Sequence, residues 1–263
     1  MGEAADRAAS GQAPGSPWLS PGAPVLEGLG TATGLMLGLP CYGGLLTTAT
    51  LRGLLETQRA CLGLELPFTC VTLTNESLIP RARNTLLAFF LASEASHLLF
   101  VDADIGFGAA SVLRLLAHDR PLIGGLYRRK RLDRQDWVVG WLPSPDGSAR
   151  RDPRTGAVEV AHLGTGFLCL RRDLVERMAA AHPNTRYRPD PEDGPPGPWR
   201  DRVHALFESG LDPETGQYFS EDYLFCRRWR ALGGEVWCDP AILLEHHGQA
   251  SFRGDPMDQF RPG

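Results

Sequence analysis

The chain has no C-x-x-C pair, no excess of basic charge, no long uninterrupted apolar run and no internal repeat. Each absence removes a class of function. Its six cysteines, Cys41, Cys61, Cys70, Cys169, Cys226 and Cys238, are scattered over 263 residues. Without a tight framework they read as reduced thiols, which points to a cytoplasmic protein rather than a disulfide-stapled secreted one. A formal net charge of −4 argues against a surface built to hold polyanions, so general nucleic-acid binding is not expected. The longest apolar stretch, residues 86–101, is broken by Glu94, Ser96 and His97 and is too short and too polar to span a bilayer. The first residues carry Glu3 and Asp6 and lack the basic start and apolar block of a signal peptide.

What remains is 43% hydrophobic and 22% charged, the balance of a globular chain long enough for one large α/β domain. Residues 1–32 are rich in Gly, Ala, Pro and Ser without periodicity and are expected to form a disordered leader, followed by a single domain over 33–263. From Leu35 the pattern alternates. "GLMLGLP" suits a buried strand; Leu51, Leu54 and Leu55 give helical spacing over 47–62; "PFTCVTLT" is β-branched and aromatic, hence a second strand. A second, largely buried helix is expected from Arg83 to Ala95, a third strand at "HLLFVDA", a third helix at "AASVLRLLAHD" and a fourth strand at "RPLIGGLY". Such alternation predicts a mostly parallel central sheet with helices on both faces, and in such sheets ligands gather at the carboxyl ends of the strands.

Beyond about residue 135 the character changes. "AHLGTGFLCLRRDLVERM" reads as a strand running into a helix, and the Pro- and charge-rich stretch over 183–203 is too long for an ordinary connection. It is either a mobile loop near a site or a solvated insertion. A hairpin around Asp212 to Gly216, a helix from Asp222 to Leu232 and a short strand "EVWCDPA" complete the pattern.

The strand "HLLFV" ends on Asp102 and Asp104, separated by Ala103. Side chains at i and i+2 share a side, placing the carboxylates about 7 Å apart if extended, where they repel by about 2 kcal/mol at an effective dielectric of 20. A hard divalent cation removes that penalty, and oxygen ligands suit Mg2+ or Mn2+. The bland alternative is a solvated acidic turn with Asp104 capping the next helix.

The surrounding motifs add weight to the metal site. "PCYGG", "ESLIPRARN" leading through a helix to D-x-D, a "GTGF" strand, "SEDYLFCRRWRALGG" and "LEHHG" occur in that order from about Leu35 to Asp255. In this the chain resembles the family 2-like glycosyltransferases of the GT-A fold, including bacterial and phage-like members. The resemblance implies a Rossmann-like sheet with a nucleotide-binding half at about 33–135 and an acceptor-side half at about 136–263. It also implies transfer of a sugar from a nucleotide-diphosphate donor to a glycan, glycoconjugate or other hydroxyl-bearing acceptor. UDP is the expected nucleotide, since D-x-D proteins of this fold commonly use it.

Residue by residue, the resemblance places Pro40, Cys41 and Tyr42 beside the base and ribose, with Tyr42 either stacking or buried. Arg83 falls near the nucleotide, where a guanidinium can hold phosphate or base oxygens, unless it pairs with Glu76. Asp102, Ala103 and Asp104 face the donor, Asp102 contacting the nucleotide ribose or, through water, the metal and Asp104 binding the metal directly, and Gly164, Thr165 and Gly166 form a turn that lets backbone approach a ligand. Asp222 is the expected base that deprotonates the acceptor, giving inversion, with Glu221 orienting the acceptor; acids at a helix start are also favoured by the backbone dipole alone. The histidine, any residue, glycine pattern fits His246 and Gly248, making His246 a metal ligand and His247 the variable neighbour. His162 reads as structural, and Arg128, Arg129 and Lys130 as a basic surface loop. Two other readings stay open. A nucleotidyltransferase should carry a basic, Gly-rich loop after the first strand, which "PCYGGLL" lacks; a silent nucleotide-sugar-binding module would have no use for a base.

Overall fold

The computed structural model describes residues 16–143, 149–191, 193–212 and 215–260. Seven strands form one sheet: β1 (Leu35–Cys41), β2 (Phe68–Thr74), β3 (His97–Val101), β4 (Leu122–Gly125), β5 (Val158–Val160), β6 (Phe167–Arg171) and β7 (Val236–Asp239), in the order β2-β1-β3-β6-β4-β7-β5. Five strands run one way, while β6 and β5 are antiparallel to their neighbours. The sheet is therefore mainly parallel, as the alternating pattern predicts. It is also continuous across both halves of the chain, because β6 inserts between β3 and β4.

Strand alternation sorts the core into two layers. Leu98 and Phe100 of β3 face the layer of α2 (Ile79–Ala92), α4 (Arg172–Ala181) and α5 (Glu221–Ala231), whereas Leu99 and Val101 face α1 (Thr48–Gly63) and α3 (Ala109–Ala117). All five residues of β3 are buried, and each large apolar side chain there contributes about 1.5–3 kcal/mol of transfer free energy. That double-sided burial fixes where β3 ends and hence where Asp102 emerges.

Local signals set the helices around that point. Thr47 caps α1, its hydroxyl accepting from Thr50 N at 3.2 Å. The Thr50 hydroxyl donates to Ala103 O at 3.0 Å and Ile105 O at 2.9 Å, so the first turn of α1 holds the D-A-D turn. The second helix begins at Ile79 rather than Arg83, because Pro80 sits in its first turn, where its missing N–H costs nothing. It stops at Ala92, where Ser93 N closes on Phe90 O.

Residues 16–32, expected to belong to a disordered leader, instead pack along the domain. Ser20 N donates to Ala241 O at 2.8 Å, Leu243 N to Trp18 O at 2.9 Å, and the buried Arg114 to Pro24 O. Backbone pairing holds this segment, which its composition does not reveal; residues 1–15 lie outside the described residues. The described part of the 183–203 segment, though largely exposed, is anchored to the domain. Trp199, 3% exposed, stands edge-on to Phe89 of α2 at 4.9 Å, and Arg200 donates to the carbonyls of Asp190, Pro191, Asp193 and Gly194.

A smaller sheet positions the late histidines. Glu245–His247 pairs antiparallel with both Ser251–Phe252 and Ile105–Gly106, with His246 opposite Ile105. All six cysteines are free thiols. Among the described residues, no helix is long and apolar enough to cross a membrane.

Candidate functional site

A cavity of about 470 Å3 opens at the carboxyl ends of β1 and β3, lined by Pro40, Tyr42, Leu45, Leu46, Thr47, Ile79, Arg83, Asp102, Ala103 and Asp104. A larger one, about 700 Å3, lies within the 183–203 segment and gathers Arg186, Tyr187, Arg188 and Arg200 with prolines and Asp201. It contains neither a carboxylate pair nor a histidine, so the chemistry is read from the smaller cavity.

Tyr42 is 66% exposed and lines this cavity, so it is not a buried tyrosine. Cys41 turns the other way into the core, where burial, with Asp102 nearby, raises its thiol pKa. Arg83, 5% exposed, donates from Nη2 to Asp102 Oδ1 at 3.1 Å and from Nε to Glu221 Oε1 at 3.4 Å. Burial works against its charge, but Asp102 and Glu221 outweigh burial and raise its pKa above the ordinary value. Its Nη1 is buried without a hydrogen-bond partner, leaving a cationic donor to spare beside the cavity. Glu76 pairs instead with Arg81.

The two aspartates of the D-x-D face different neighbours. Asp102 belongs to Arg83. Asp104 holds Lys130 on Oδ2 and lies 3.5 Å from His246 Nε2 through Oδ1. Burial would raise its carboxyl, but hydrogen bonds from His246 and Lys130 bring its pKa down to about 2. The His246 tautomer follows from its other nitrogen: Nδ1 lies 2.7 Å from Arg128 O, which can only accept, so Nδ1 carries the proton. Nε2 faces Asp104 Oδ1: it donates to that oxygen when the ring is protonated and offers a lone pair to a bound cation when the ring is neutral. A ligand histidine whose second nitrogen donates to a backbone carbonyl is the usual arrangement around a metal. Oxygen and nitrogen donors together fit a divalent cation such as Mn2+. Among the described residues no three His, Cys, Asp or Glu side chains gather as a metal cage, so these two leave most coordination positions to other ligands. His247 turns away, toward Glu245 Oε2 at 3.0 Å and Ser251 Oγ at 3.1 Å.

Asp222 starts α5 beside Glu221. It accepts from the Ser220 hydroxyl and from Tyr223 N at 2.9 Å. Burial lifts its carboxyl pKa above the ordinary value and Glu221 adds to this, against the opposing effects of Ser220 and Arg83. A carboxylate so raised is a better proton acceptor than a solvated one. Arg129 reaches the same place, donating to the Tyr223 hydroxyl at 3.2 Å. His162 packs against Tyr223 with ring centroids 3.5 Å apart and the planes tilted by 47°; burial, with Arg129 and Arg227 nearby, pushes its pKa down to about 4, as befits a neutral packing group.

The "GTGF" turn has a different cause from the one expected. A Cβ on Gly164 would lie 2.3 Å from the Tyr127 hydroxyl, and one on Gly166 would lie 2.8 Å from that hydroxyl and 3.0 Å from Asp102 Oδ2. The space is used by the protein's own groups, while Thr165 is buried at 1% exposure between them. Tyr127, which the sequence did not single out, is the hub: its hydroxyl accepts from Gly166 N at 3.0 Å, and its ring stands edge-on to His246 at 5.2 Å. Burial, with Asp102 and Asp222 nearby, pushes its phenol well above the ordinary tyrosine value. Its place at the end of β4 was the available signal, since strand ends on this side line the site.

No family model matches the chain, and no curated protein does. Among solved structures, A197 from STIV is similar over 82% of this chain and 86% of its own, at 15% identity and a TM-score of 0.47. GalNAc-T7, in a structure with UDP, GalNAc and Mn2+, is similar over 82% of this chain, at 10% identity and a TM-score of 0.43, and the match covers 44% of GalNAc-T7. With TM-scores under 0.5, neither likeness bears on what the site does.

Proposed function

We propose that this chain is a metal-dependent glycosyltransferase of the GT-A type, moving a sugar from a nucleotide-diphosphate donor, UDP-sugar first among them, to an acceptor hydroxyl with inversion. The observation that carries this reading is the pairing of Asp104 with a tautomer-locked His246 at the rim of a cavity holding an exposed aromatic face and a buried arginine with a spare donor. Asp104 and His246 would hold the divalent cation, and Asp102, expected to share it, acts instead through Arg83. When bound, such a cation supplies Lewis-acid neutralisation of a departing diphosphate.

The chain's own residues account for the remainder. Tyr42 supplies a stacking face for the base. Arg83 spends two donors on Asp102 and Glu221 and keeps Nη1 for a donor oxygen. Glu221 therefore positions Arg83, a different task from orienting the acceptor. Asp222 takes the acceptor's proton as its oxygen attacks the anomeric carbon, and its raised pKa suits it to that step. The test is a screen of nucleotide sugars with Mn2+, scored by released nucleoside diphosphate and by product mass. Turnover of one donor class with a mass gain on an acceptor supports the reading; a full panel without turnover or metal-dependent binding overturns it.

A further inference from the structure

Lys130 is the only lysine in a chain with 27 lysine and arginine residues, and it sits on the carboxylate assigned above to the metal. Its Nζ is 2.5 Å from Asp104 Oδ2. The neighbouring basic residues are engaged elsewhere: Arg129 with Asp136 and Tyr223, Arg131 with Asp133, and Arg128 with the carbonyls of Arg253 and Arg134. Of these four loop residues, Lys130 is the one paired with Asp104.

The approach is built. Arg128 O accepts from His246 Nδ1, and Arg129 N donates to Asp136 O at 2.8 Å, so the backbone on the amino side of Lys130 is fastened to the site. The alkyl stem passes over Gly248: a Cβ there would lie 3.1 Å from Lys130 Cδ and 3.4 Å from Cε. The glycine of the histidine, any residue, glycine pattern thus clears a path for the lysine stem. A flexible stem with a compact, three-donor ammonium can leave one oxygen for another, which a planar guanidinium fixed in a fork does less readily.

Resting on the metal reading given above, we propose that Lys130 is a tethered cation that neutralises Asp104 in the empty site, yields it to the divalent cation, and then pairs with the donor's diphosphate. An ammonium and a divalent cation compete for one carboxylate, and the freed ammonium stays beside the negative charge that the donor brings. No covalent bond changes; one ion pair is exchanged for another.

Two measurements test this. In Mn2+ titrations followed by electron paramagnetic resonance without nucleotide, Lys130→Met should bind Mn2+ about fivefold more tightly than wild type, the scale of a partly exposed ion pair. With UDP present it should hold the nucleotide more weakly, by about the same factor, and Lys130→Arg should recover part of that loss. Equal Mn2+ affinity in wild type and Lys130→Met overturns the exchange and leaves the metal reading standing; no Mn2+ uptake by either protein overturns both. The second measurement uses the unaltered chain, whose only side-chain amine is Lys130. Acylation at Lys130, followed by peptide mass spectrometry, should speed up on adding Mn2+ and slow down on adding Mn2+ with UDP. A rate indifferent to Mn2+ contradicts the proposal.

Discussion

Arg83 Nη2 lies 3.1 Å from Asp102 Oδ1, joining the second helix to the end of the third strand across the floor of the cavity. The same guanidinium reaches Glu221 at the start of α5, so one side chain ties together three elements that surround the candidate donor site.

Replacing Arg83 by Leu would leave Asp102 and Glu221 unpaired and facing one another, and should destabilise the fold by about 2–3 kcal/mol. Arg83→Lys keeps the charge but cannot serve both acids and retain a spare donor. It should fold, with nucleotide-diphosphate affinity reduced about tenfold, the scale of one charge-assisted hydrogen bond. Thermal unfolding and calorimetry separate the two effects.

Asp222→Asn keeps the shape and the bond from Ser220 but cannot accept a proton. Turnover should fall by about 10²-fold or more while donor binding persists. A carboxyl whose folded pKa is raised binds more protons folded than unfolded, so its ionisation lowers stability as pH rises from the ordinary carboxylate value through the raised one. At neutral pH the variant should therefore melt no lower than wild type. A large drop in melting temperature would instead make Asp222 a helix-start residue. In the wild type, the acidic limb of kcat should lie above the ordinary aspartate range.

The order of strands and helices was legible because β1, β3 and β4 are buried on both faces and read as plain apolar runs. Strand direction was not, since an apolar run such as Phe167–Arg171 reads the same either way. The strand Val158–Val160 was missed for another reason: its central Glu159 is buried but satisfied by Arg150 and Arg230, and a polar residue in three breaks the signal. At the site, D-x-D, the acid pair and the late histidines stood out as motifs. The partners of each acid, the hub role of Tyr127 and the seat of Lys130 depend on long-range packing, which no local pattern encodes.

Tyr127→Phe removes the acceptor of Gly166 N–H and leaves that donor buried, costing about 1–2 kcal/mol. Gly164→Ala forces a methyl against the Tyr127 hydroxyl and should cost about 2–3 kcal/mol through overpacking. Denaturant unfolding measures both. A neutral Gly164→Ala would show that the turn is not shaped by Tyr127.

His246→Ala should weaken Mn2+ uptake and donor turnover, whereas His247→Ala, which loses the hydrogen bonds to Glu245 and Ser251, should leave both within a few-fold. Titration of Mn2+ by electron paramagnetic resonance on the two variants compares them directly. An unchanged curve for His246→Ala removes it from the ligand set.

The most direct measurement is calorimetry of UDP binding with Mn2+ and with EDTA, on wild type and on Asp104→Ala. Binding that needs Mn2+ and is lost in Asp104→Ala is the predicted result; equal affinity in EDTA, or an unaffected Asp104→Ala, would contradict a metal-held nucleotide diphosphate at this site.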